Sequence, residues 1–400
     1  MNGGEQDAPG GAVVAGHICL DVILDIGPSA AADLSHALQP GRLLEVGPAV
    51  ISTGGPVSNT GLALHLLGIP TRLICKVGRD PFGGVIHDSI SARSPELAAG
   101  IVEDPGVTTS YSVVLSPPGV DRIFLHHPGA NDSFDADDVD FGLVERAALF
   151  HFGYPPVMRR MYERGGRGLA ELLRRARETG ATTSLDMSYP DPSSAGGRVE
   201  WRTILESALP LVDVFVPSIE DLLSMLHPTR LEQLSANGPA VDGVTPGLLH
   251  ELGDELLGMG VRVLVIKLGE RGLYLRTASR PALLDLGRAA PRDVDRWDDR
   301  EFWAPCFRVP VLGTTGAGDA TIAGFHAALL RGLGPEEAVT TALAVGACNV
   351  EAPDAVSGLR SWEETRRRIG SGWERLPVEL RDAAWHRVED YELWERSRAT

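Results

Sequence analysis

The stretch VLGTTGAGDATIAGFHAALL, residues 311–330, decides how the rest of the chain is read. It places an apolar strand end, two threonines and a Gly-Ala-Gly turn ahead of an amphipathic helix, with Asp319 in the first turn. A helix start leaves backbone N–H groups without intrahelical partners, and its dipole adds positive potential. Gly316, Ala317 and Gly318 therefore mark an anion pocket. A carboxylate beside such a pocket repels the anion unless a proton has to be accepted there, a combination that suits phosphoryl transfer to a hydroxyl. Read alone, Asp319 serves equally as a helix cap, for which aspartate is a preferred residue.

A second stretch, STGGPVSNTGLALHLLGIPTRLICKVGRDPFGG (52–84), sets Gly54-Gly55 before a helix carrying Asn59 in its first turns. Glycines let a small ligand approach the backbone, and an asparagine amide donates and accepts toward hydroxyls. Asp21, just past the first strand, has the acceptors to hold two hydroxyls of the same ligand. Each of these residues also has a plain turn reading: a Gly-Gly loop, an Asn cap and an Asp strand terminator. There is no GxxxxGK[ST], no GxGxxG after a strand and no HRD or DFG pairing. A P-loop enzyme, a dinucleotide-binding dehydrogenase and a protein kinase are thus unsupported. His126-His127 and His151 fall in strand patterns without metal-ligand spacing, so no zinc site is expected.

Around these motifs, strand and helix patterns alternate. TRLICKVG (71–78), ALFHFGY (148–154), ATTSLDM (181–187), VDVFVP (212–217) and VRVLVIKLG (261–269) read as strands. GLALHLLGI (61–69), RGLAELLRRARETG (167–180) and PGLLHELGDELLGMG (246–260) read as helices. This rhythm predicts βαβ units and a mostly parallel, covered sheet. Two stretches break it, one between Gly41 and Ile51 and one from Thr108 to His126. Both read strand–turn–strand, predicting a small antiparallel sheet that stands off the main one and covers a ligand. Residues 1–11 read as a mobile tail and 278–304 as a polar excursion. Residues 371–400, with Trp373, Trp385 and Trp394, read as a helical extension.

Composition narrows the partners. The 400 residues carry a net charge of −17, which repels nucleic acid and anionic membrane surfaces. No apolar run reaches the roughly 20 residues of a membrane span, and the first basic residue is Arg42, so a cytoplasmic location is expected. Cys19, Cys75, Cys306 and Cys348 form no CxxC pair and are expected to be buried thiols.

Together the two glycine-containing stretches resemble the signatures of the ribokinase-like (PfkB) carbohydrate kinases, over about residues 12–370. The resemblance implies a doubly wound α/β domain with a β-sheet lid, with sugar under the lid and ATP, carried with Mg²⁺, near the C-terminal half. By that likeness Asp319 is the base, and the amides of Gly316, Ala317 and Gly318 stabilise the transferring phosphoryl group. Asp21, Gly54, Gly55, Asn59 and Asn131 of PGAND hold the sugar. Ser218, Lys267, Gly269, Gly272, Thr315 and Asn349 border the nucleotide, and Asp221 reaches the metal through water.

Three positions depart from the family pattern. Gly313 stands where Asp is common, which makes activation by a monovalent cation doubtful. Ser218-Ile-Glu-Asp221 replaces N-x-x-E, and Asp186-Met-Ser188 replaces D-x-N. Alternative readings are a nucleoside kinase of the same fold and a non-catalytic, sugar-sensing relative. No arginine cluster lies near the first glycine pair, which favours an unphosphorylated sugar, with Arg72, Arg79 and Arg122 as candidates for the opposite case. A homodimer through the lid is a further expectation.

Overall fold

A computed structural model describes residues 10–27, 39–41, 43–116 and 123–398. The mobile tail expected for residues 1–11 lies outside the described residues except for Gly10 and Gly11. Gly11 is tied down, its carbonyl accepting from Ala148 N at 2.8 Å.

The alternating apolar runs form one large sheet. Its strands are Ala12–Gly16 (β1), Thr71–Gly78 (β4), Gly100–Asp104 (β5), Leu149–Gly153 (β8), Thr182–Asp186 (β9), Val214–Phe215 (β10) and Val263–Lys267 (β11), all parallel. An antiparallel edge continues through Leu273–Thr277 (β12), Glu301–Ala304 (β13), Leu393–Arg396 (β15) and Trp385–Val388 (β14). The spatial order is β14-β15-β13-β12-β11-β10-β9-β8-β1-β4-β5. β1, β8 and β9 are buried along their whole length because helices cover both faces; β1 (AVVAG) accordingly shows no polar alternation, while β9 (TTSLD) buries polar residues. The helix expected at 167–180 resumes after a break at Glu163–Gly166 in the longer segment Arg159–Glu178.

The second sheet holds Val50–Gly54 (β3), Cys19–Asp25 (β2), Tyr111–Ser116 (β6) and Ile123–His127 (β7), in the order β3-β2-β6-β7. The expectation of a wholly antiparallel flap is corrected here: β2 and β6 run parallel, Leu20 opposite Tyr111. The two strand pairs come from distant parts of the chain and meet side by side, which no hairpin turn constrains. β1 and β2 are separated only by His17 and Ile18, so the lid is rooted directly in an interior strand of the large sheet.

The C-terminal extension is also corrected. Residues 385–396 form a strand pair, not a helix, joined through Glu392 at φ 50. β15 pairs with β13, Trp303 opposite Trp394, so this segment extends the sheet edge and buries Leu393. Of the excursion 278–304, Arg280–Leu283 and Val294–Trp297 are short helices and the last four residues are β13. Trp297 anchors it in the core, edge-on to Phe325 at 6.1 Å between ring centres.

Candidate active site

Ala317–Leu330 is the helix that positions the site. Gly316 precedes it at φ 72, a left-handed conformation suited to glycine, and a Cβ there would come within 2.7 Å of the Ala355 side chain. Small residues then let the helix be buried against its neighbours: at Gly324 a Cβ would stand only 2.9 Å from Ala342 Cα on the helix Pro335–Asn349. Such close packing fixes the helix start in space, and with it Asp319.

Asp319 is 3 % exposed. Its Oδ2 accepts from Asn59 Nδ2 at 2.9 Å and its Oδ1 from Thr60 Oγ1 at 3.3 Å, both on the helix Pro56–Leu66. The Tyr154 hydroxyl stands 3.4 and 3.5 Å from the two oxygens. The carboxylate therefore does not cap its own helix; no side-chain cap bond is made at that N-terminus. Burial pushes the Asp319 carboxyl above the usual carboxylate range, against the pull of the Asn59 hydrogen bond and the Lys267 charge.

Lys267, at the end of β11, donates to Asp186 Oδ1 at 2.7 Å. Asp186 is fully buried, and burial pushes its carboxyl up to about 7 despite that ammonium, with Asp221 and Asp319 adding repulsion. Asp186 Oδ2 has no hydrogen-bond partner. Beside this cluster opens a cavity of about 530 Å³, lined by Lys267, Gly269, Gly272, Ala317, Gly318 and, at its far wall, Leu376. Cys306 also lines it and is only partly buried, in contrast to the expectation for all four thiols; Cys19, Cys75 and Cys348 are buried.

The expected site residues separate into those the fold gathers and those it employs otherwise. Asp21, Gly54, Gly55 and Asn59 converge near the root of the lid: a Cβ on Gly54 would run into the Asp21 carboxylate, and Gly55 leads into the helix at φ 89. Asn131 is occupied with backbone, its Oδ1 accepting from Ile18 N at 3.3 Å and its Nδ2 donating to Ile18 O at 2.8 Å. Its place is therefore in pinning the β1–β2 connector. Asn349 likewise donates to Ala355 O at 2.6 Å. Ser218 caps the helix Ile219–Leu226 with Asp221 in a reciprocal pair, and neither lines the cavity. Thr315 Oγ1 is buried without a partner. Of the three amides expected to face an anion, that of Ala317 already donates to Thr314 O at 3.2 Å. At Gly313 a Cβ would meet the Pro353 carbonyl at 2.8 Å, so the family's larger residue has no room there.

Sequence reasoning missed Tyr154 and Thr60, and left Asp186 out of the site. Tyr154 follows β8 at φ 64, a conformation that sequence alone does not signal for tyrosine.

The comparisons decide the family. The sequence profile of the pfkB family carbohydrate kinases matches residues 23–362. The chain belongs to that family. It is a kinase, and its large sheet with a four-stranded lid is the ribokinase-like fold. A 2-dehydro-3-deoxygluconokinase of Thermoproteus tenax is 26 % identical over 318 residues, covering 78 % of this chain and 83 % of the relative. A probable chloroplastic fructokinase-6 of Arabidopsis thaliana is 25 % identical over 328 residues, with 79 % and 74 % covered. Among solved structures, an Arabidopsis thaliana ribokinase complexed with ribose and ATP superposes with a TM-score of 0.66 at 17 % identity, covering 90 % of this chain and 99 % of that one. Among the described residues no helix is long and apolar enough to cross a membrane.

Proposed function

We propose that this kinase moves the γ-phosphoryl group of ATP to a hydroxyl of a small unphosphorylated sugar, with Asp319 as the general base. One observation carries the reading. The buried Asp319 carboxylate and the cavity that takes the nucleotide meet at the start of a single helix, with Gly318 on the cavity wall and Asp319 one residue further. An acceptor hydroxyl entering from the lid side meets Asp319, gives up its proton to that carboxylate and attacks in line. Lys267 supplies positive charge at the cavity floor, and the helix start adds its dipole where phosphoryl charge gathers. The lid excludes water that would otherwise compete as the acceptor.

Magnesium fits the residues present. Asp186, Asp221 and Asp319 put three carboxylates around one ammonium, and Asp186 Oδ2 is buried without a partner. Asp186 would hold the ion or its water, and bound Mg²⁺ would neutralise phosphate oxygens. A 2-dehydro-3-deoxygluconokinase and a fructokinase among the relatives support a small sugar or sugar acid as the acceptor. Arg72 and Arg79 are engaged with Glu96 and Glu103, at 2.9 and 3.7 Å, which supports an acceptor without a phosphate of its own. Arg122 lies outside the described residues. Ile51 and Leu125, on one face of the lid, are both more than half exposed, and a second copy packing there is part of the proposal.

The test is ADP release from ATP and Mg²⁺ against a panel of sugars, sugar acids and nucleosides, run beside ligand-induced thermal shifts. Sugar-dependent ADP release is the expected result. Sugars that raise the melting temperature while no ADP forms overturn it in favour of a sugar-sensing protein, and release with nucleosides alone overturns the acceptor class.

A further inference from the structure

We propose that His17, Cys19 and His126 bind one zinc-class divalent cation at the joint between the lid and the large domain. His17 lies in the connector between β1 and β2, Cys19 opens β2, and His126 reaches in from β7 across Ser112 of β6. One nitrogen of each imidazole and the Cys19 sulfur all stand within 4.8 Å of one another. Donors on a tetrahedral zinc with bonds of about 2.0–2.3 Å are about 3.3–3.8 Å apart, so small side-chain rotations gather these three around an ion. The set of two imidazoles and a thiol is chemically matched to zinc rather than to magnesium or calcium, which prefer oxygen.

His17 provides the independent evidence. It is 5 % exposed, yet neither ring nitrogen has a hydrogen-bond partner. A buried polar group left unpaired is costly, and native structures rarely keep one without a reason. Its ring lies 5.3 Å from that of His126, centre to centre, so the unpaired edge belongs to the same cluster. Around the donors, Ser112 Oγ lies 3.1 Å from His126 Nδ1 and 3.8 Å from Cys19 Sγ, and it orients both.

On binding, Cys19 gives up its S–H proton and its sulfur becomes the anionic ligand. Asp21 Oδ1, which accepts from the thiol at 3.3 Å, is the first acceptor of that proton, and it passes the proton to solvent. No oxidant or reductant enters. The three donors come from both sheets' junction and from the lid's edge strand, so the ion acts as a latch between them. The expectation that His126 has no metal-ligand spacing held only along the chain, since its partners are more than a hundred residues away.

The experiment strips the full-length protein of metal with a chelator and titrates it with Zn²⁺ against a chromophoric zinc indicator, then with Co²⁺ read by absorption. Expected are one Zn²⁺ per chain, a sulfur-to-cobalt charge-transfer band and a Zn²⁺-dependent rise in melting temperature. Cys19→Ser should remove the band, and both Cys19→Ser and His126→Asn should weaken Zn²⁺ by at least about 10-fold. His126 is exposed, so its variant keeps the fold and holds the test open if the Cys19 variant does not. Failure of the wild-type chain to take up Zn²⁺, or His126→Asn binding as tightly as wild type, overturns the proposal. None of these readouts involves phosphoryl transfer, so all are independent of the acceptor and base assigned above.

Discussion

The two ends of the site are built on opposite plans. At the acceptor end Asp319 is enclosed by Asn59, Thr60 and Tyr154, all from elements that precede it by more than 160 residues, and almost none of it meets solvent. At the nucleotide end, glycines, alanines and the exposed Val311 wall an open cavity of about 530 Å³. The acceptor end is a set of fixed directional contacts around one carboxylate. The nucleotide end is a surface that a large ligand can fill with few fixed polar groups. Changes at the first end should therefore act on turnover, and changes at the second on nucleotide binding or on stability.

The largest effect expected is at the proposed base. Asp319→Asn keeps shape and the Asn59 neighbour but cannot take a proton, and it should lower turnover about 10²–10⁴-fold with little change in melting temperature. Near-wild-type turnover would erase the contrast between the two ends. The same carboxyl sets a pH dependence. Because burial raises its pKa, the protonated, inactive form persists above the usual carboxylate range. Turnover measured from pH 5 to 8 should thus rise with pH along a limb displaced upward from that of an ordinary aspartate. A flat profile sinks this.

Next in size is the ion pair that joins the ends. Lys267→Met leaves Asp186 buried without its cation, and removing one partner of a buried pair costs about 3–5 kcal/mol when the remaining charge persists. Asp186 escapes part of that cost by staying protonated, since its folded pKa is about 7, above its ordinary 3.8, even with Lys267 beside it, and loss of the ammonium moves it further up. The sign follows: this carboxyl binds its proton more tightly in the folded chain, so its contribution to stability is present at low pH and lost as pH rises through about 7. Thermal melts of Lys267→Met should therefore show a larger loss at pH 8 than at pH 5. Equal losses at both would mean that Asp186 stays ionised throughout.

How far this division was legible depends on the range of the forces involved. The helix start at Gly316–Asp319 and the Gly54-Gly55 turn are local backbone chemistry, and each stands in the sequence as a few adjacent residues. Several parallel strands were legible for the same reason: near-continuous burial leaves a mostly apolar run between turn residues, as TRLICKVG matches Thr71–Gly78. Tyr154 and Asp186 follow from register instead. Each sits at the carboxyl end of a strand, β8 and β9, whose alignment puts Gly153 opposite Asp186, and no local pattern reports that. The strands at 385–396 were misread because four-residue strands leave too few alternations to outweigh charges at helical spacing. Asn131 and Asn349 were expected to line the sugar pocket and to border the nucleotide, but both are buried and their amides are partners of the backbone.

Tyr154 sharpens the comparison at intermediate size. Its hydroxyl donates to Asp319 over 3.4 Å, long for an O–H bond, while burial and the neighbouring carboxylates push its own pKa well above 10. It stays a neutral donor that steadies the base. Tyr154→Phe should cost at most about 10-fold in turnover, the upper end of a net hydrogen bond of about 1 kcal/mol. Removing the donor also raises the Asp319 pKa, so the acid limb should move further upward. A loss as large as that of Asp319→Asn would make the phenol, not the carboxylate, the essential group.

The smallest effect belongs to the far wall of the nucleotide cavity. Leu376 reaches it from the segment that runs on to β14, its N–H held by the Cys306 carbonyl at 2.8 Å. That segment is clamped by Trp373 stacked on Phe307 at 4.4 Å and by Arg375 over the same Phe307 ring at 4.3 Å. The wall is therefore fixed independently of Leu376 itself, and truncating the side chain removes contact without loosening the fold. Leu376→Ala should raise the KM for ATP roughly 3–10-fold, equivalent to about 1 kcal/mol of lost apolar contact, and leave turnover at saturating ATP unchanged. A fall in turnover with an unchanged KM would show that the C-terminal strands act on the chemistry at Asp319, and the two ends of the site would then have to be treated as one.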